Sequence, residues 1–401
     1  MPTTGLPDLD DFTREARAWL SGVAPSRATA EWGEGSDSVA VFENWTQEQE
    51  RVETDRIRAY ERARFDAGWG PITWPEEYGG RGLPVSYALA FRRAEAGFDV
   101  PRRTEMFPVT QQLVAPTIAR WGTDAQKEQY LRAMLRTDVI ACQLFSETEA
   151  GSDLAAVRTR AVRADGGWRI TGHKVWTSVA RVADVCIAVC RTDSDAPKHA
   201  GLTVFLVPMD TEGVTVRPIR QMTGGSSFNE VYLDDVLVDD GCRLGPEGQG
   251  WKVALTVLAS ERLDSGNLGL ENADQAVELA RHRASGLTDL ERDRVADLVT
   301  RSYVQRLAGM RVAAAVVAGN DPGPEASVGK LLATDTMART SEVVRMLLGP
   351  DLTVDSGEWG TWAWTEHVLG APGYRIAGGS DEIQHNILAE RVLGLPREPR
   401  G

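Results

Sequence analysis

Histidine and cysteine are scarce in this chain, and the scarcity excludes several kinds of chemistry. The five histidines stand apart and form no HExxH pair, and the four cysteines (Cys142, Cys186, Cys190, Cys242) form no CxxC pair. A metal site is therefore not expected. Cys186 and Cys190 sit four residues apart in Asp184-Val185-Cys186-Ile187-Ala188-Val189-Cys190, a strand-like run in which they share one face. Core packing with reduced thiols is their expected role, which fits a cytoplasmic protein. There is no Walker loop and no nucleophile elbow. No apolar run reaches the roughly 18 residues of a membrane helix. Met1-Pro2-Thr3-Thr4-Gly5-Leu6-Pro7-Asp8 lacks the basic start and apolar core of a secretory signal. Positive charge is also short: the formal net charge is −14, which argues against nucleic acid or an anionic membrane as partner.

The chain does have the length for several cores, at 401 residues. Three textures follow one another. Up to about residue 140 the periodicity is helical. Asp10–Val23 opens on acids, spaces Phe12, Ala16 and Leu20 by fours and stops before Pro25, and further helices are predicted at Gln47–Ala67, Ser86–Phe98, Val109–Trp121 and Asp124–Leu135. Gly70–Pro84 is a loop by composition. From 141 to 245, short runs rich in Val, Ile and Thr (Ala155–Ala164, Trp168–Val175, Ala183–Arg191, Leu202–Pro208, Val214–Gln221) alternate with turn residues, as in an antiparallel sandwich or barrel. From 246 to 401 helical periodicity returns at Trp251–Leu258, onward to about Ala284, and at Asp289–Ala318, Ser327–Leu348 and Ser380–Leu393. The expectation is an α+β protein of three domains, 1–140, 141–245 and 246–401: a helical N-domain, an antiparallel β-barrel middle domain and a C-terminal four-helix bundle.

Two segments in the strand zone carry chemistry. Phe145-Ser146-Glu147-Thr148-Glu149-Ala150-Gly151-Ser152-Asp153 is a small-residue turn against which a ligand can lie. Lys174-Val175-Trp176-Thr177-Ser178 ends a strand in an indole and two hydroxyls, a flat apolar face beside hydrogen-bond donors. Near the C-terminus, Ala377-Gly378-Gly379-Ser380-Asp381-Glu382-Ile383-Gln384-His385-Asn386 leads glycines into a helix start with free backbone N–H groups. Glu261-Arg262, taken alone, is an ordinary charged pair on a helix.

Together these segments resemble the acyl-CoA dehydrogenase family, over nearly the whole chain after about residue 40. Trp74-Pro75-Glu76-Glu77-Tyr78-Gly79-Gly80-Arg81-Gly82 is similar to the family's N-domain loop, with a structural role expected here. The resemblance implies FAD as cofactor, with Gln143, Phe145, Ser146, Gly151, Ser152, Trp176, Thr177, Ser178, Ser380 and Glu382 as cofactor contacts. It implies Ser152, Arg262 and Gly379 as substrate contacts. Where many relatives carry a catalytic glutamate, this chain has Gly378. A branch that includes bacterial subunits of steroid and branched acyl-CoA dehydrogenases places the base on an earlier helix before an arginine, a position matched here by Glu261 and Arg262. The implied reaction is α,β-dehydrogenation of an acyl-CoA. Glu261 is the base, the Gly378 N–H holds the enolate oxygen, and an electron-transfer flavoprotein is the acceptor. A dimer or tetramer of like chains, or pairing with an unlike subunit, is implied for the assembly.

Three departures from the family pattern stand out. Thr148-Glu149 replaces a usual Pro-Gly. The Arg-x-x-Phe-Gly segment whose arginine reaches a neighbouring subunit's flavin pyrophosphate is missing from Ala280–Leu287, where Arg281 and Arg283 are the available cations. Leu347-Leu348-Gly349-Pro350 departs from a Gln-x-x-Gly-Gly pattern. These losses leave two alternatives open: a flavin-poor partner subunit of a heteromeric enzyme, and a flavin oxidase or monooxygenase of the same fold.

Overall fold

The structure, a computed structural model, describes residues 5–27, 39–264, 268–320, 323–354 and 362–397; the side chains of residues 261–264, 284 and 362–363 lie outside that description. The chain divides into two units, one built from Met1–Thr29, Trp45–Arg220 and Ser226–Val257, the other from Ala30–Asn44, Gln221–Gly225 and Leu258–Gly401.

The first unit begins with helices whose ends the sequence punctuates. In α1 (Leu9–Val23) the Asp8 carboxylate accepts the N–H groups of Asp10 and Asp11, and Phe12, Ala16 and Leu20 are buried on one face. Thr46 and Gln49 form a reciprocal cap at the start of α2 (Gln47–Asp66). After α3 (Val85–Glu95) the expected Val109–Trp121 helix is split: a π-helical turn, Pro108–Val114, runs into α4 (Ala115–Trp121). Its wider turn places Thr110 where its hydroxyl accepts the Ala141 N–H at 3.0 Å, and Gln111 where its amide donates to Met134 and Leu135 carbonyls. α5 spans Asp124–Leu135. Phe12, Trp69, Tyr87 and Phe91 centre one core of these helices.

Eight strands follow: β1 (Ala141–Leu144), β2 (Arg160–Ala164), β3 (Gly167–Ser178), β4 (Val185–Arg191), β5 (Leu202–Pro208), β6 (Val214–Ile219), β7 (Phe228–Asp239) and β8 (Arg243–Leu244). They form one sheet in the order β6-β7-β3-β2-β4-β5-β8, with β1 paired to β4. The sheet is mostly antiparallel, as expected, but β1 runs parallel to β4 and β2 meets β4 in a parallel bridge. Cys186 and Cys190 lie buried with Cys142, Ile170, Phe205 and Val207 in its core. The expected strand Ala155–Ala164 starts only at Arg160. Leu154–Ala156 is instead a helical turn closed by the Ala156 and Val157 N–H groups, and the N–H groups of Arg158 and Thr159 go to the Glu147 carboxylate rather than to a ladder.

The second unit contains most of the remaining helices: α6 (Gly250–Asp264), which begins in the first unit, then α7 (Leu270–His282), α8 (Asp289–Val317), α9 (Ser327–Leu348), α10 (Trp362–Tyr374) and α11 (Asp381–Ile387). α9 packs against α7, α8, α10 and α11. Ala276, Leu279, Leu298, Val343, Val344 and Trp364 fill the core between them. His367 is enclosed there. Its Nδ1 faces the Asn272 amide at 3.0 Å and its Nε2 faces the Met337 carbonyl at 3.3 Å, which fixes the neutral tautomer. Burial holds its pKa down at about 4. Two segments from earlier in the chain join this unit. Phe42 stacks on Tyr374 with ring centroids 5.2 Å apart. The Asn44 amide donates to Glu366 at 2.6 Å and to the Thr223 carbonyl, and accepts the Thr223 hydroxyl.

Candidate functional site

In the first unit the turn and the indole segment are neighbours. Gln143 is half-buried on β1 opposite Ile187 of β4, and Phe145 is buried at the strand's end. The Ser146 carbonyl accepts the Val175 N–H at 3.0 Å, which lays the start of the turn along β3. Glu147 and Ala150 then exchange backbone hydrogen bonds around Thr148-Glu149, so the residues replacing Pro-Gly occupy the two central positions of a tight turn. Gly151, Ser152 and Asp153 are exposed, and a Cβ placed on Gly151 would touch nothing within 4 Å. Asp153 is ion-paired with Lys198 at 2.8 Å.

Trp176 departs from its strand. Its φ is +61°, a left-handed conformation that a bulky residue adopts only under constraint, and the β3–β7 register slips between Lys174 and Thr177. The bulge turns the indole outward, leaving it 59% exposed with one edge against Phe228 at 6.0 Å. Val179 repeats the left-handed conformation at φ +56°, so Thr177 and Ser178 are bracketed by two strained positions. Thr177 is buried, and its hydroxyl has no hydrogen-bond partner among the described residues. Ser178 is half-buried opposite Phe228. A strained indole with a free face, an orphaned hydroxyl behind it and a turn with an open glycine nearby fit a flat aromatic group with polar edges, as FAD has.

Sequence reasoning missed the groups that hold these pieces. Lys174 is fully buried, and its ammonium donates to the Phe145 carbonyl at 3.0 Å, the Val189 carbonyl at 2.8 Å and Glu147 at 2.9 Å. Burial lowers its pKa, with Glu147 opposing. Burial likewise works to raise the Glu147 pKa, but the Lys174 charge and the hydrogen bonds outweigh it and the net shift is downward. The signal was there to find: Trp168, Ile170, Gly172 and Lys174 share one parity of β3, so a lysine falls on the inward face.

In the second unit, Gly378 and Gly379 both have left-handed backbones, at φ +64° and +84°, and Ser380 caps α11 through the Ile383 N–H. Their carbonyls are held by buried side chains. The Gln384 amide donates to Gly378 at 3.0 Å and to Gly379 at 3.2 Å, and Lys330 donates to Gly379 at 2.6 Å. Asp381 is buried and bonded to Arg375, Thr334 and Lys330, which makes it part of the scaffold. Glu382 is exposed, and its pKa is lowered by its own backbone N–H and by the Ser380 hydroxyl. The backbones of Glu261 and Arg262 are helical in α6, and their side chains lie outside the described residues. Arg283 donates to the Leu347 carbonyl at 2.6 Å and reaches Asp351, whereas Arg281 pairs with Glu278. Among the described residues no cluster of metal-ligating side chains occurs, and no helix is long and apolar enough to cross a membrane.

Comparison with known proteins agrees along the chain's length. Models of the acyl-CoA dehydrogenase N-terminal, middle and C-terminal domains match residues 37–138, 142–236 and 248–393. The acyl-CoA dehydrogenase IpdE1 of Mycobacterium tuberculosis is 36% identical, over 99% of this chain and 100% of its own. FadE34 of the same organism, also named an acyl-CoA dehydrogenase, is 39% identical over 84% of this chain and 46% of its own. Among solved structures, the Tcur3481-Tcur3483 steroid ACAD superposes with a TM-score of 0.78 at 27% identity, covering 99% of this chain and 100% of that one. A chain of the ChsE4-ChsE5 complex from Mycobacterium tuberculosis gives 0.75 at 26% identity, with 99% and 100% covered.

Proposed function

We propose, from the premise that the chain belongs to the acyl-CoA dehydrogenase family, that it desaturates an acyl-CoA thioester between its α and β carbons to the trans-2-enoyl-CoA. The family consists of FAD-dependent oxidoreductases, and the observation that best supports the assignment is Trp176, strained, outward-turned and backed by the unpaired Thr177 hydroxyl. Gln143, Phe145, Ser146, Gly151, Trp176, Thr177, Ser178, Ser380 and Glu382 would hold the cofactor. Bound FAD would supply a two-electron acceptor for the hydride leaving the β carbon.

The remaining chemistry belongs to the chain. Glu261 takes the α proton as general base, with Arg262 orienting it. Loss of that proton drives charge onto the thioester oxygen, and the Gly378 N–H stabilises it there, beside Gly379. Ser152, exposed at the tip of its turn, touches the thioester tail. The absence of a side chain at Gly378 leaves room beside the reacting carbons and suits a branched or bulky acyl group. An electron-transfer flavoprotein would be the final electron acceptor.

One observation favours a second reading, a flavin-poor partner subunit. Arg283, a candidate for the missing pyrophosphate arginine, is engaged by Leu347 and Asp351. The Tcur3481-Tcur3483 steroid ACAD and the ChsE4-ChsE5 complex each join two components. The flavin content of the chain purified alone separates the readings. Close to one FAD per chain, bleached by an acyl-CoA in wild type and not in Glu261→Gln, supports the dehydrogenase. A colourless chain that takes up FAD only with an unlike subunit supports the second reading. Bleaching that survives Glu261→Gln removes Glu261 as base.

A further inference from the structure

We propose that the buried Lys174–Glu147 pair is a positioning element that locks the turn Phe145–Asp153 and the indole segment Trp176–Ser178 into one fixed register. The inference rests on the flavin reading above for its purpose, although not for its geometry.

Three pieces of chain meet at one ammonium: the turn, β4 and β3. Phe145 is the first residue of the turn, Glu147 opens its tight bend, Val189 belongs to the neighbouring β4, and Lys174 stands two residues before Trp176. An ammonium has three protons and no acceptor, and here each proton has one oxygen partner. The carboxylate of Glu147 is engaged at both oxygens. Besides Lys174 it accepts the N–H of Arg158 at 2.7 Å and of Thr159 at 2.8 Å, so both ends of the loop carrying Gly151, Ser152 and Asp153 close on one side chain. Beyond that closure Arg191 donates to the carbonyls of Ala155 and Val157. The loop therefore has a rigid base and an open tip.

A merely stabilising core does not need this arrangement. A methionine at position 174 fills similar space with no desolvation cost, and buried ion pairs are weak sources of stability. What charge adds is geometry: the ammonium fixes the height of the turn relative to β3 at the point where the bulge forces Trp176 outward. Gly172 lies on the same inward face, and a Cβ there would meet the Thr159 hydroxyl at 2.2 Å, so the loop's far end is pressed against β3 as well.

The test compares Lys174→Met and Glu147→Gln with Arg103→Met. Arg103 belongs to a separate buried network with Glu61 and Glu95 among the helices of the same unit, and serves as a control for general destabilisation. Amide hydrogen exchange without cofactor is the first readout, and FAD affinity by titration is the second. The expected result in Lys174→Met is faster exchange at residues 146–150 and 175–178 together, with β5 unchanged, and FAD binding weakened by about tenfold or more. Arg103→Met, at an equal loss of thermal midpoint, should keep FAD affinity within about twofold. Glu147→Gln should fall between, since its amide oxygen still accepts N–H groups but its charge is gone. Loosening of only one segment, loosening of the whole sheet, or loss of FAD in proportion to thermal midpoint in all three variants overturns the proposal. Should Lys174→Met fail to fold, Glu147→Gln decides: unchanged exchange at 158–159 and 175–178 overturns it. Should wild type bind no FAD, the flavin reading falls, and hydrogen exchange alone still decides whether the pair couples the two segments.

Discussion

Replacing Trp176 by alanine and then by glycine separates what its backbone costs from what its ring contributes. At φ +61° an L residue with a Cβ pays roughly 1–2 kcal/mol relative to ordinary strand geometry, and glycine does not. In an ordinary strand, glycine is less stable than alanine by about 0.5–1 kcal/mol, because it loses more backbone freedom on folding. At position 176 the strain relief exceeds the entropy, and Trp176→Gly should be more stable than Trp176→Ala by roughly 0.5–1 kcal/mol. Val162, exposed in β2 and without a positive φ, supplies the control. There the glycine variant should be less stable than the alanine variant by about 0.5–1 kcal/mol. The chain has more than one unit, so the local free energy is best read from native-state hydrogen exchange of β3 and β2 amides rather than from one global transition. Equal signs at the two positions would refute the strain argument. FAD binding provides a second axis: both variants at 176 lose the ring, so both should bind about tenfold more weakly and equally so. An alanine variant with undiminished FAD affinity removes the indole from the site.

Other predictions follow from individual groups. Glu261→Gln should lower turnover by about 10²–10⁴ at unchanged FAD content, measured by reduction of the flavin with an excess of acyl-CoA. His367 has a folded pKa of about 4, below its unfolded value, so the unfolded chain binds more protons between those values. Stability of the second unit should therefore fall by about 3 kcal/mol as pH drops from 7 to 4, and a His367→Gln variant should lose most of that dependence in denaturant titrations at both pH values. Asn44→Ala removes the bonds to Glu366 and Thr223 and should cost the second unit about 1–3 kcal/mol, visible as faster exchange in α10.

Much of the architecture was legible because its signals are local. Helical periodicity marked α1, α2, α5 and α9 to within a residue or two of their ends. Acids and turn formers concealed β7: Asn229, Glu230, Asp234 and Asp235 interrupt its apolar residues, yet Val231, Leu233, Val236 and Val238 still reach the core, and β3 and β6 hold it on both sides. β1, only four residues long, is too short to stand out by alternation within the strand zone, and its parallel pairing with β4 supplies its hydrogen bonds. The attachment of Phe42 and Asn44 to the second unit depends on partners hundreds of positions away, Glu366 and Tyr374, and no local pattern encodes it.

The candidate site divides along the same line. The residues proposed to face a ligand are unusual for their place, such as glycines in series, an indole at a strand end or hydroxyls in a run, and so they are visible in one dimension. The residues that hold them look ordinary. Glu147 is an acid in a turn, Gln384 a polar residue and Lys330 a base on helices, yet Glu147 accepts the Arg158 N–H at the loop's far end, and Gln384 and Lys330 donate to the Gly378 and Gly379 carbonyls. Gly378 shows why that matters. At φ +64° a side chain there would be strained, and a glycine is free of that cost. On the proposed reading, with Glu261 of α6 as the base, the task of the turn at Gly378 is to present its N–H groups. Gln384 and Lys330 serve it by holding the opposing carbonyls. On this argument Gln384→Leu should impair stabilisation of the thioester oxygen, lowering turnover while FAD content holds. Loss of FAD without a change in turnover per bound flavin would place the turn's role in cofactor binding instead.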